Sequence, residues 1–180
     1  DYNLRFNNFL KKFELRTERP TKKKPTQLSG FYYFYEMNNN LVLYIASSQD
    51  GFISGESDDL SFLKLVEIEG EDYGYLKFIN SVGPILVGRK TYDKVISMGF
   101  PYHENKNVYV ISRDKKKLGK KKLTFFSNDI SELVAQLKKS STKNIYCDGG
   151  AELAKYLISK NLIDQIILSV VPVELKKGTL

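Results

Sequence analysis

The sequence predicts an α/β fold: a mostly parallel sheet covered by helices on both faces, with the final strand running antiparallel at the C-terminal edge. Three observations carry this. From residue 41 onward, short β-branched and aromatic runs alternate with helix-like segments, the pattern of strand–helix–strand units. Between Asp129 and Lys139, apolar Ile130, Leu133, Val134 and Leu137 recur at helical spacing. The length of 180 residues, 42% of them apolar, suits one domain at roughly 100 to 200 residues each.

The strands are read in order as "LVLYIA" (41–46), "PILVG" (84–88), "NVYVIS" (107–112), "LTFF" (123–126), "NIYC" (144–147) and "QIILSVVPV" (165–173). Residues 71–82, "EDYGYLKFINSV", are expected to form a helix in which Asp72, Tyr75, Leu76 and Ile79 share a face, so that a carboxylate heads an apolar stripe. An acidic first turn complementing the helix dipole is the alternative role for Asp72. The helix after Asp129 ends in Lys138 and Lys139, which suit its negative end. The last strand follows "KNLID" with no long crossover, hence the expected antiparallel direction.

Residues 1–36 contain "RPTKKKPTQ" and lack a sustained period, so they read as an extension, poorly ordered or foreign to the native chain, ahead of a domain over 37–180. Met37 followed by a polar lead and a core strand resembles a native start. No secretory h-region is present, and Glu14, Glu18 and Glu36 count against a transit peptide. Of the net charge of +7, the extension holds +4 and the body +3, which weakens a nucleic-acid reading. No apolar run approaches the ~20 residues of a membrane helix. With one cysteine, Cys147, and one histidine, His103, neither a disulfide, a metal site nor a histidine-rich triad is expected, and the pattern suits the cytoplasm. His103 reads as a solvated loop residue.

Chemistry concentrates at strand ends. "PILVG" runs into "GRKTYDKV", which places Gly88, Arg89, Lys90 and Thr91 at a helix start, and "NIYCDGGAELAKYL" places Gly149 and Gly150 at another. Free N–H groups, the positive dipole end and glycine's close backbone approach favour a phosphate there, with plain tight turns as the alternative. The strand "NVYVISRD" ends in Ser112 and Arg113, followed by "KKKLGKKKL", at the edge where open α/β sheets bind ligands; a solvated basic loop is the alternative for the lysines.

Read in order, "YIASSQDGFISG" (44–55), Asp72, "LVGRKTYD" (86–93), "VYVISR" (108–113), "IYCDGGAELAKYLI" (145–158) and "LIDQIILSVVPV" (162–173) resemble the dihydrofolate reductase-like superfamily, closest to its riboflavin-biosynthesis reductase branch, the RibD C-terminal domain. The resemblance covers residues 39–180 and implies a three-layer fold and an NADPH-dependent oxidoreductase of dihydrofolate reductase or 5-amino-6-(5-phosphoribosylamino)uracil reductase type. By position, Arg89, Lys90 and Thr91, after Gly88, hold cofactor phosphates, Ser112 and Arg113 flank the 2′-phosphate, and Gly149, Gly150, Ala151 and Glu152 pack against the pyrophosphate. Ser48, Asp50 and Gly51 lie in the loop expected to close over the nicotinamide. Asp72, sixteen residues before Gly88, takes the place of the substrate-binding acid, and Ser169 faces the cleft.

This branch points to a small pterin-like or pyrimidine-type heterocycle as substrate, with no metal, no membrane and no nucleic acid as partners and a homodimer left open. The absence of tryptophan, with Tyr92 after "GR-T", departs from the folate enzymes. The family continues through one more strand after "KKGTL", so the chain reads as C-terminally truncated. A non-catalytic dinucleotide-binding or assembly module of the same fold is the alternative, and a nucleic-acid-binding protein a further one.

Overall fold

The computed structural model describes residues 30–33, 40–114 and 121–179. The expected extension lies outside these except for β1 (Gly30–Tyr33), and of "KKKLGKKKL" only Lys121, Lys122 and Leu123 fall inside. The further strands are β2 (Leu41–Ser48), β3 (Val82–Gly88), β4 (Val108–Ile111), β5 (Leu123–Phe126), β6 (Asn144–Cys147) and β7 (Gln165–Val171). The helices are α1 (Tyr75–Ser81), α2 (Arg89–Ser97), α3 (Ile130–Ser140) and α4 (Ala151–Ser159). The strand order is β1-β7-β2-β6-β3-β4-β5.

The chain divides into two units, one of residues 36–43 and 74–165, the other of residues 1–35, 44–73 and 166–180. In the first, β6 pairs in parallel with both β2 and β3, β3 with β4, and β4 with β5. Strands covered on both faces need apolar side chains at every position, not every second one. Accordingly Leu41, Val42 and Leu43, Ile85, Leu86 and Val87, and Ile145, Tyr146 and Cys147 are buried in consecutive runs. Right-handed crossovers that run outward from β2 to β4 and back from β5 to β6 put α1 and α2 on one face and α3 and α4 on the other. Ser131 of α3 and Tyr156 of α4 meet at 3.3 Å, as neighbours on one face do.

Helix α3 follows its periodicity: Leu133, Val134 and Leu137 are buried. Its start is fixed by Asp129, whose side chain accepts from the N–H groups of Ser131 at 2.7 Å and Glu132 at 3.4 Å. At the far end Lys138 bridges to Asp164, whose carboxylate also accepts the Leu41 N–H at 2.7 Å, tying α3 to the start of β2.

Two expectations need correction. The first helix starts at Tyr75, not residue 71, because Tyr73 (φ 52) and Gly74 (φ 81) both take the left-handed conformation and break the helical path. Asp72 therefore precedes the helix and is exposed, Leu76 is 62% exposed, and the carboxylate-headed stripe does not form.

The expected antiparallel C-terminal edge is also absent. The crossover is α4 itself, which carries the chain from β6 to β7 ahead of "KNLID". Bonds from Asp164 N–H to Leu41 C=O and from Gln49 N–H to Val173 C=O run in step, so β7 is parallel to β2. Outside β7 lies β1, paired antiparallel with it, Gly30 opposite Val170 and Tyr33 opposite Ile167.

The α3 cap gives a direct test. Asp129→Ala should lower stability in urea denaturation by about 1 kcal/mol, the usual worth of an N-cap carboxylate. An unchanged midpoint with an unchanged slope would show that α3 is held by its buried stripe alone.

Candidate functional site

The unit of residues 36–43 and 74–165 brings three strand ends to one edge. Because β3 and β6 are parallel neighbours with Leu86 opposite Cys147, the turns that follow them meet. The Gly88 N–H donates to the Gly149 carbonyl at 2.6 Å. A Cβ on Gly88 would stand 3.2 Å from the Gly150 nitrogen and 3.3 Å from the Gly149 oxygen, and one on Gly150 only 2.8 Å from Thr91 Oγ1. Gly149 has φ +77, and its peptide to Gly150 is cis. At Gly88 glycine thus serves the close approach of two backbones, and at Gly150 the approach of the Thr91 side chain.

Gly88 caps α2 and Gly150 caps α4, neither with a side-chain cap, so two helix starts present first-turn N–H groups at one place. The third strand end is β4. Ser112 is 9% exposed, its N–H bonded to Phe126 C=O at 2.9 Å and its hydroxyl accepting from Asp114 N–H at 3.1 Å. Arg113 beside it projects outward and meets Glu152 of α4 at 3.4 Å, and Lys90 of α2 approaches the same carboxylate at 3.7 Å. Arg89 turns back along its own helix: its Nε donates to Asp93 at 2.6 Å and its guanidinium lies 5.4 Å from the centre of the Phe125 ring.

The arrangement suits phosphate oxygens. Two helix starts meet at the glycine turns, and Lys90 and Arg113 stand exposed beside them. The sequence-predicted Gly88, Arg89, Lys90, Thr91, Ser112, Arg113, Gly149, Gly150, Ala151 and Glu152 all belong to this unit, on the α2 and α4 starts and the β4 end.

Sequence reasoning missed the acid beside the glycines. Asp148 directly follows β6, and Tyr102 and Tyr146 each donate a phenol hydrogen bond to one of its oxygens. Burial pushes the Asp148 carboxyl above the ordinary carboxylate range, against the pull of those two phenols and of nearby His103. Both phenols are raised in turn, first by burial and then by the Asp148 charge. Neighbouring Cys147 is fully buried in the sheet, its thiol pushed up to about 12 by burial, which leaves it unreactive.

His103 is not the solvated loop residue expected. It is half-buried, its Nε2 lies 3.3 Å from the Tyr75 hydroxyl, its ring meets Tyr102 edge-on at 5.0 Å, and burial lowers its pKa. A signal existed in "CDGG", an acid at a buried strand's C-terminal end, but its partners lie up to 46 residues away in sequence.

In the other unit, Ser48, Asp50 and Gly51 form one turn. The Ser48 hydroxyl donates to Asp50 at 2.6 Å, and the carboxylate also accepts from Leu175 N–H at 3.1 Å and Lys176 N–H at 2.8 Å. The Ser48 bond foremost, with these amides, holds the Asp50 carboxyl below its usual range. Gly51 has φ +90, as its turn requires. Ser169 lies on β7 opposite Phe31 in register, and Asp72 is on the surface.

Two comparisons with solved structures match the fold. A riboflavin biosynthesis protein from Shewanella sp. PV-4 superposes with a TM-score of 0.69 at 24% identity, over 78% of this chain and 81% of that one. Dihydrofolate reductase from Enterococcus faecalis, complexed with NADP(H) and RAB-propyl, gives 0.55 at 18%, over 82% and 78%. In sequence, the chain is 36% identical over 144 residues to the uncharacterized protein YwjB of Bacillus subtilis (strain 168). It is 32% identical over 160 residues to the uncharacterized protein YyaP of the same strain; each match covers 79% of this chain and 82% of the relative. The model of the RibD C-terminal domain matches residues 39–175, and the chain belongs to that family.

Proposed function

We propose that this protein is an NADPH-dependent reductase of a small pterin-like or pyrimidine-type heterocycle, of the kind handled in riboflavin synthesis. A reductase-type function is what its family and fold suggest. The observation that carries the cofactor reading is the interlock of the α2 and α4 starts, where the Gly88 N–H bonds the Gly149 carbonyl and two glycine-capped helix N-termini come together. Bound NADPH would supply the hydride.

The chain's own groups then orient and neutralise. Amides around Gly88–Thr91 and Gly149–Glu152 take pyrophosphate oxygens, and Ser112 and Arg113 take the 2′-phosphate, with Arg89 and Lys90 adding charge at the rim. Ser48, Asp50 and Gly51 stay proposed as the nicotinamide loop, Asp72 as the acid that binds the substrate, and Ser169 as a hydrogen-bonding aid. Asp148 joins them as a carboxyl that burial makes ready to hold a proton at the β6 end, beside the glycine turn. No helix among the described residues is long and apolar enough to cross a membrane.

The cofactor reading predicts tighter binding of NADPH than of NADH in a fluorescence titration. Arg113→Ala should weaken NADPH by about 1 to 3 kcal/mol, the scale of hydrogen bonds to charged groups, and leave NADH nearly unchanged. Equal dissociation constants for the two nucleotides would remove the 2′-phosphate role.

The Asp148 reading predicts a pH signature. A carboxyl whose pKa is higher folded than unfolded binds its proton more tightly in the native state, so its contribution favours folding most in acid and declines as pH rises through the folded value. The stability of wild type relative to Asp148→Asn should therefore fall as pH is raised from the ordinary carboxylate range upward, followed by denaturant midpoints. A difference that grows with pH would show that the phenols hold Asp148 as a stable anion.

A further inference from the structure

Glu152 is an exposed acidic group at the phosphate site, and its charge opposes a phosphate. It stands in the first turn of α4, two residues after Gly150, where the positive end of the helix favours an anion. Its carboxylate faces Lys90 at 3.7 Å and Arg113 at 3.4 Å. Those cations come from α2 and from the end of β4, the two elements that flank the glycine interlock. Packing of a carboxylate against a pyrophosphate, the role position alone implied, is disfavoured: an ionised carboxylate only accepts hydrogen bonds, and like charges repel. Arg89, drawn to Asp93, is not engaged by Glu152 in the same way.

All three partners of this cluster are exposed, with side-chain accessibilities of 84% for Lys90, 96% for Arg113 and 74% for Glu152. Exposed ion pairs are weak and easily exchanged. A doubly charged phosphate that reaches the rim can take both cations from a singly charged carboxylate, whereas a ribose hydroxyl cannot.

We propose that Glu152 is a specificity-determining residue of the cofactor site: an internal anion that occupies Lys90 and Arg113 until a ligand phosphate displaces it. It thereby lowers the affinity for phosphate-bearing dinucleotides. This inference rests on the cofactor reading above. Arg113 attracts the phosphate, Glu152 competes for the same guanidinium, and the balance of the two sets how tightly NADPH is held and how far it is preferred.

The test is a set of titrations with NADPH and NADH on wild type, Glu152→Gln, Lys90→Ala/Arg113→Ala, and the triple variant. Glu152→Gln should tighten NADPH by about three- to tenfold at low salt, the scale of two exposed pairs, with less gain at high salt. NADH should change by less than about twofold, on the same scale. In the Lys90→Ala/Arg113→Ala background the gain should vanish, since the competition has lost its object. Unchanged or weaker NADPH binding by Glu152→Gln, or a gain that persists in that background, overturns the role of Glu152 while leaving the cofactor reading in place. Failure of wild type and every variant to bind NADPH overturns both.

Discussion

The hydrogen bond from the Gly88 N–H to the Gly149 carbonyl joins the two turns on which the rest of the site depends. It forms because β3 and β6 are parallel neighbours, β3 ending in Gly88 and β6 running through Asp148 into Gly149 and Gly150, so the two strand-to-helix turns come close together. That closeness directs the starts of α2 and α4 to one place. A parallel sheet gathers the C-terminal ends of its strands along one edge, and a reversal of strand order there opens a crevice. Here the order reverses between the outward run β2 to β3 to β4 and the return through β6.

Around that junction the charges fall into two classes. Lys90, Arg113 and Glu152 are exposed, so their mutual attraction is weak and their value lies in being exchangeable. Asp148 is the opposite case. Its carboxylate is withdrawn from water beneath two phenols, and burial sets its behaviour more than any single partner does. One group suits recognition of a charged ligand at the rim, the other the holding of a proton deeper in the fold. Asp148 and Glu152 stand four residues apart, at either end of the same glycine turn.

Much of this was legible in the chain. Strands buried on both faces appear as unbroken apolar runs, which is why Leu41–Leu43, Ile85–Val87 and Ile145–Cys147 could be read directly. Helix α3 was equally plain from its apolar stripe and its last-turn lysines, while its Asp129 cap is seen in the structure. The misreadings have local causes. Two consecutive left-handed residues, Tyr73 and Gly74, end the helical path without disturbing the apolar spacing that suggested it. The direction of β7 is set by α4, which is itself the crossover, and not by the five residues that follow it. Asp148 and His103 stayed hidden because their character comes from partners distant in sequence, Tyr102 and Tyr146 for one and Tyr75 and Tyr102 for the other.

The most direct measurement is amide hydrogen exchange with and without saturating NADPH. If the interlocked turns hold the cofactor phosphates, protection should rise in peptides that contain Gly88–Thr91 and Gly149–Leu153, while the amides of α3, on Ile130–Ser140, stay unchanged. Binding of NADPH with no added protection at either glycine turn would contradict the account.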